Sequence, residues 1–401
     1  MSASLEHAGR ARRRSLVLGC ALAVMSVIAL AWLSYEIFRL LWQPQYIGSY
    51  RVHPGGIDLG LRQVDVEVWF AGRPLYQGVK TASYPPATQL MLWPFVGWLS
   101  LHYAIWLWLA ATLAALVWLI RMVVRESGAS APLEGAFIAV LPLSMYATGA
   151  TIGNGQLTVQ VVALLLASTL LLRREPVAWR TDLLAAAMMI LALAKPSLAA
   201  PFFLLTLFLP RRLRPALLVV GGYVALTLVA TAFQPGGPLA TFRMWLESGA
   251  RLASRGASLS AQCNVHAFLG LLGWQKWNGP ASLAVLGVLG LWILRRRTAD
   301  TWILLGVTGL ATHFWTYHGW YDDLVLLPAM IALYRIGKTA QAGGRHAKVA
   351  SVLFAASLLV TIAPGGHFLL PKPWNFVFAC VQMAVMLAVL GFLIVRARRE
   401  E

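Results

Sequence analysis

The feature that most restricts this chain is a succession of long apolar stretches poor in charge, with small clusters of arginine or lysine after alternate ones. About 20 apolar residues in a helix cross a hydrocarbon core of about 30 Å. In lipid only helices and closed barrels satisfy their own backbone polar groups. Repetition of such stretches over 401 residues leaves no room for a conventional water-soluble core. Composition agrees, with 59% hydrophobic residues and only 12% charged, against about 25% charged in soluble domains. A surface so poor in charge excludes an ordinary cytosolic enzyme, a disordered chain and a collagen-like fibre. The expected class is an all-α polytopic membrane protein.

The net charge of +18 invites a nucleic-acid reading. In a membrane protein it is better read as cytoplasmic loops that follow the positive-inside rule, with no nucleic-acid partner. Cys20, Cys263 and Cys380 are too few and too scattered for a disulfide framework or a zinc site. The amino terminus carries Arg10, Arg12, Arg13 and Arg14 before an apolar run from Ser15 to about Phe38. That run is longer than a cleaved signal peptide and ends in large residues, so it reads as an uncleaved first span.

Further spans are expected near 101–120, 133–150, 156–172, 181–194, 197–210, 215–233, 281–294, 300–315, 322–336, 349–364 and 375–395. Twelve crossings with both termini inside place the clusters around Arg121/Arg125, Arg173/Arg174/Arg180, Arg211/Arg212/Arg214, Arg295–Arg297, Arg335/Lys338/Arg345/Lys348 and Arg396/Arg398/Arg399 on one side. The same scheme leaves outside a first loop over about 39–86, a second over about 234–280 and a third from Pro364 to Trp374, within a single domain over 1–401. Ala87–Leu99 is apolar but short, and reads as an interfacial or re-entrant helix. Tryptophans near loop ends, such as Trp42, Trp98 and Trp274, suit an interfacial belt.

The first outer loop mixes Asp58, Asp65 and Glu67 with Arg51, Arg62, Arg73 and Lys80. Topology does not require that pattern, and it fits a surface site pairing a carboxylate with phosphate-binding cations. Within it the chain reads Gly56-Ile57-Asp58-Leu59, then Gly72-Arg73-Pro74-Leu75-Tyr76, then Tyr84-Pro85-Pro86 opening an apolar segment. This order is similar to that of glycosyltransferase family 87, membrane enzymes of the GT-C class that use polyprenyl-phosphate sugars. Three more stretches carry the resemblance along the chain: Gly153-Asn154-Gly155-Gln156, Ala194-Lys195-Pro196, and the segment His313, Tyr317, His318, Tyr321, Asp322, Asp323 before Leu326-Leu327-Pro328. One departure is Gly60-Leu61-Arg62, where the family usually has an aromatic pair. Asn154 also reads as a helix cap, Lys195 as a residue snorkelling from a short loop, and His318 with Asp322 and Asp323 as a metal set.

The resemblance implies a GT-C-like bundle of about twelve transmembrane helices with helical extracytoplasmic loops. It implies transfer of a sugar, a hexose such as mannose, from a polyprenyl phosphate donor to a lipid-linked or cell-envelope glycan at the outer face of a bacterial-type plasma membrane. Asp58 takes the place of the general base, with Asp65 as its rival. Lys195, Arg62 and His318 are candidates to stabilise the leaving phosphate, and Asn154, Gln156, Tyr84 and Tyr317 to bind substrate. Displacement in line predicts inversion, with no metal and no cofactor. The rival class is a transporter or flippase of lipid-linked sugars, but no internal repeat or paired midplane charges are seen in the sequence.

Overall fold

The computed structural model describes residues 2–47, 50–210, 212–255, 264–316, 318–339 and 344–398. Of the expected features, Arg211, Tyr317 and Arg399 lie outside the described residues. The chain is predominantly helical, with one short antiparallel hairpin. Helix α1 (Ser2–Leu41) is followed by strands β1 (Pro44–Ile47) and β2 (Tyr50–Pro54). Gly55 and Gly56 then turn the chain back, both with positive φ. A Cβ on Gly55 would fall 1.4 Å from the Leu40 carbonyl oxygen, so only glycine lets this turn rest on the end of α1. Helices α2 (Ile57–Phe70), α3 (Leu75–Gly78) and α4 (Pro86–Val96) follow, the last opened by prolines that suit a first helical turn.

Helix α5 (Leu101–Glu126) is long and straight in sequence, whereas the next expected span, 133–150, is two helices, α6 (Pro132–Ser144) and α7 (Tyr146–Asn154). Met145 between them has an extended backbone and bridges to Ile362. The carbonyl of Pro142, left without a helical partner by the break, accepts from the Thr148 hydroxyl at 2.6 Å. The chain continues with α8 (Thr158–Leu172), α9 (Trp179–Ala192), α10 (Pro196–Leu207), α11 (Arg214–Thr231), α12 (Gly237–Arg255) and α13 (Val265–Leu271). It ends with α14 (Asn278–Arg296), α15 (Thr301–Trp315), a 3-10 stretch Trp320–Leu326, α16 (Leu327–Thr339), α17 (Arg345–Thr361), α18 (Gly366–Leu369) and α19 (Trp374–Ala397).

Among the described residues five segments are long and apolar enough to cross a membrane: Ser15–Leu41, Leu101–Glu126, Arg214–Thr231, Gln275–Arg296 and Trp374–Ala397. The other expected spans are represented by shorter helices, some of them interior. The long segments bury only between 11% and 33% of their windows and present apolar faces outward. By contrast, 12 of the 15 residues of α8 are buried, and so are 12 of 15 in α15. Interior helices are covered by protein and need not match the bilayer in length.

The loops gather into two groups. At one end, Arg173 donates to the Arg297 carbonyl at 2.9 Å, Arg174 approaches Glu126 at 3.6 Å, Lys338 meets Glu134, and Arg212 and Arg214 both meet Asp182. At the other, the Trp69 indole donates to the Ala230 carbonyl at 3.0 Å, Gln234 to Trp69 at 2.8 Å and Trp245 to Ser83 at 2.9 Å. Residues of the 39–86 and 234–280 stretches therefore pack on one another. Thr88 of α4 bonds the Ala194 carbonyl at 2.9 Å, which ties α4 to the turn between α9 and α10.

Candidate active site

Asp58 lies in the first turn of α2, where the helix N-terminus favours negative charge. It is half-buried. The turn Gly153–Gln156 packs directly on it. Gly155 closes α7 in the left-handed conformation (φ 68°), and a Cβ there would sit 2.7 Å from the Cβ of Leu59. That close approach brings the buried Gln156 to Asp58, and their side chains hydrogen-bond. Gln156 Oε1 accepts from the Tyr84 hydroxyl at 3.4 Å and from Lys195 Nζ at 3.3 Å. The acceptor side of this amide is thus engaged, and its NH₂ serves the carboxylate.

Lys195 precedes α10 and is only 6% exposed. Its ammonium pairs with Asp322 Oδ1, bonds Thr158 Oγ1 at 3.2 Å and stands 4.8 Å over the Tyr321 ring. Thr158 also donates to Asp322 at 2.7 Å, and the Gly319 amide donates to Asp322 Oδ2 at 3.3 Å. A lysine buried between apolar helices is thereby held in the charged form by one carboxylate and a cation–π contact.

Arg62 lies one helical turn after Asp58, with its guanidinium 4.5 Å from the Tyr84 ring centre and 2.5 Å from Asp65 Oδ2. Burial raises the Asp58 carboxyl above the ordinary carboxylate range. The Gln156 hydrogen bond and the charges of Arg62 and Lys195 oppose that rise, and Asp322 adds to it. Asp65 is fully buried, and its carboxyl is pushed up to about 6 by burial despite Arg62. His318 is buried too, with Nδ1 against the Thr316 carbonyl at 2.8 Å. Burial pushes its pKa down to about 4, so it is neutral at pH 7. Asp323 points away from its neighbour Asp322, toward His313 Nδ1 at 3.0 Å, Gln382 Nε2 at 2.9 Å and the Tyr146 hydroxyl.

The structure therefore brings Asp58, Arg62, Tyr84, Gln156 and Lys195 together, from segments far apart in sequence. Asn154 is not among them: its Oδ1 accepts from Arg39 at 2.8 Å, and Arg39 in turn bonds Glu36 at 2.6 Å. Nor does it cap α8, since it is the last residue of α7. Among the described residues no group of three or more His, Cys, Asp or Glu could hold a metal ion.

The sequence model of glycosyltransferase family 87 matches residues 82–361. The chain belongs to that family. Comparison with curated proteins and with solved structures gives no match. In this family 87 glycosyltransferase the matched stretch holds Tyr84, Gln156, Lys195, His318 and Asp322, whereas Asp58, Arg62 and Asp65 precede it. Sequence reasoning overlooked Tyr146, Thr158 and Gln382. Gln382 carried a usable signal, because an amide in the middle of the last apolar run is costly unless it faces a partner. Tyr146 carried none that hydropathy could register.

Proposed function

We propose that this family 87 glycosyltransferase transfers a sugar, a hexose such as mannose, from a polyprenyl phosphate donor to a lipid-linked or cell-envelope glycan. The observation that carries this reading is a carboxylate and a buried ammonium joined by a single amide: Asp58, Gln156 and Lys195. The acceptor hydroxyl oxygen attacks the anomeric carbon while the bond from that carbon to the phosphate oxygen breaks. The electron pair of the broken bond stays on the phosphate, and the hydroxyl proton passes to the Asp58 carboxylate. Attack opposite the leaving group inverts the anomeric centre. Lys195 and Arg62 supply positive charge for the phosphate as its second negative charge develops. His318, neutral and buried, serves as a hydrogen-bonding group rather than a cation.

In this reading the bundle crosses the plasma membrane twelve times, with both termini cytoplasmic and the Asp58 end at the outer face. The greasy part of the donor then stays in the bilayer and its glycosyl phosphate reaches the site from the side. The site sets a carboxylate beside two cations, Lys195 and Arg62, at one end of the bundle, which suits a leaving phosphate better than the repeated midplane charges of a transporter. The test is purified protein given a polyprenyl-phosphate hexose and a glycolipid acceptor. Free polyprenyl phosphate should appear only when the acceptor is present. Turnover with a soluble nucleotide sugar, and none with the polyprenyl donor, overturns the proposal.

A further inference from the structure

At the basic end of the bundle, the end of α5, the end of α8 and the middle of α9 enclose a pocket of about 310 Å³. It lies far from Asp58: α8 begins at Thr158 in the candidate active site and ends here, and α9 runs from this end toward Lys195. Its apolar wall includes Trp118, Leu170 and Leu184, and Trp118 and Leu184 are 37% and 52% exposed on the outer face of the bundle. Its polar rim holds Arg121, Arg125 and Arg174 against the lone carboxylate of Glu126. Arg121 and Arg125 are four residues apart on one helix and so share a face.

Several other basic residues at this end are answered by carboxylates. Arg212 and Arg214 are answered by Asp182, Lys338 by Glu134 and Arg335 by Asp300. Among the described residues the Glu126 carboxylate pairs with Arg174 alone, at 3.6 Å, and the Arg174 side chain remains 53% exposed. Among the described residues Arg121 and Arg125 form no ion pair. A surplus of guanidinium beside an apolar slot that opens toward lipid matches one class of ligand. Guanidinium forks bind phosphate oxygens, and a basic pocket between membrane helices draws anionic headgroups.

We propose that this pocket binds an anionic glycerophospholipid, its phosphate held by Arg121, Arg125 and Arg174 and an acyl chain lying against Trp118, Leu170 and Leu184. A free phosphate would have no use for the apolar wall, and a zwitterionic lipid, whose own cation offsets its phosphate, would gain less from the uncompensated charge.

The test is native mass spectrometry of the intact protein, exchanged in detergent with phosphatidylglycerol or with phosphatidylcholine of the same chains. Each arginine should contribute roughly a fivefold preference, and the three together at least about tenfold after the opposition of Glu126. Wild type should retain phosphatidylglycerol over phosphatidylcholine by that margin. The triple variant Arg121→Gln, Arg125→Gln, Arg174→Gln should lose the preference, the corresponding triple lysine variant should keep it, and the pair Arg295→Gln, Arg296→Gln should leave it unchanged. Should the triple glutamine variant not yield a monodisperse protein, Glu126→Gln decides: tighter retention supports the site, and unchanged retention overturns it. Equal retention of the two lipids, full retention by the triple glutamine variant, or displacement of phosphatidylglycerol by millimolar inorganic phosphate each overturns the proposal.

Discussion

Lys195 offers the sharpest division between a structural and a chemical role. Its ammonium is buried with Asp322 and also touches Gln156 and Thr158. Replacing it by methionine keeps the bulk of the stem but leaves the Asp322 carboxylate buried without its countercharge, held by Thr158 and the Gly319 amide alone. Breaking a buried pair from one side costs about 3–5 kcal/mol. Asp322→Asn should cost a similar amount for the mirror-image reason. The double variant Lys195→Met, Asp322→Asn removes both charges, so it should be less destabilised than the two single costs together, by ~0.5–3 kcal/mol. Thermal unfolding followed by intrinsic fluorescence in detergent measures this, since the chain carries 17 tryptophans. Turnover is followed in the same samples by release of polyprenyl phosphate. If Lys195 meets the donor phosphate, stability recovers in the double variant and turnover does not. Recovery of both together would refute the phosphate role and leave Lys195 a purely architectural cation. A Lys195→Met single variant as stable as wild type would refute the buried pair itself.

Asp58→Asn should lower turnover by roughly 10²–10⁴ with normal expression, the usual worth of a general base. Near-normal turnover in that variant with a dead Asp65→Asn would move the base to Asp65. The base must be ionised, and burial raises the Asp58 carboxyl, so the acid limb of kcat/KM against pH should lie above the ordinary carboxylate range. Arg62 opposes that rise, so Arg62→Gln should shift the limb to still higher pH, and a shift to lower pH would contradict the assignment. Gly155→Ala meets both a left-handed backbone and Leu59 at 2.7 Å, so it should cost about 1–3 kcal/mol and reduce turnover, both read in the unfolding and release assays. In a cysteine-free background, Ala250→Cys should react with an impermeant maleimide only from the side opposite both termini.

Much of this arrangement was legible in the sequence because the membrane imposes simple rules. Run length identified α1, α5 and α19, and a lysine stranded between apolar stretches identified Lys195. Gln156 was singled out by the resemblance of Gly153-Asn154-Gly155-Gln156 to the family, not by any rule of hydropathy. What remained hidden depends on contacts across long stretches of chain. The break at Met145 goes with its bridge to Ile362, more than 200 positions on, which a hydropathy window cannot register. Asn154 sits two residues from Gln156 yet faces Arg39, because the turn between them reverses side-chain direction. The network joining Tyr146, Asp323 and Gln382 spans more than 200 positions and has no local signature.

The seat of α2 on the first span has a mechanical consequence. Gly55 rests on the Leu40 carbonyl, and Arg39, one residue earlier, grips Asn154. Asp58 and Asn154 therefore both hang from the final turn of α1, and Gln156, two residues on, reaches across to Lys195 at the start of α10. Helices adjust tilt to the thickness of the surrounding hydrocarbon. A change in the tilt of α1 acts on Asp58 first, so in the reading that makes Asp58 the base, turnover becomes sensitive to acyl-chain length.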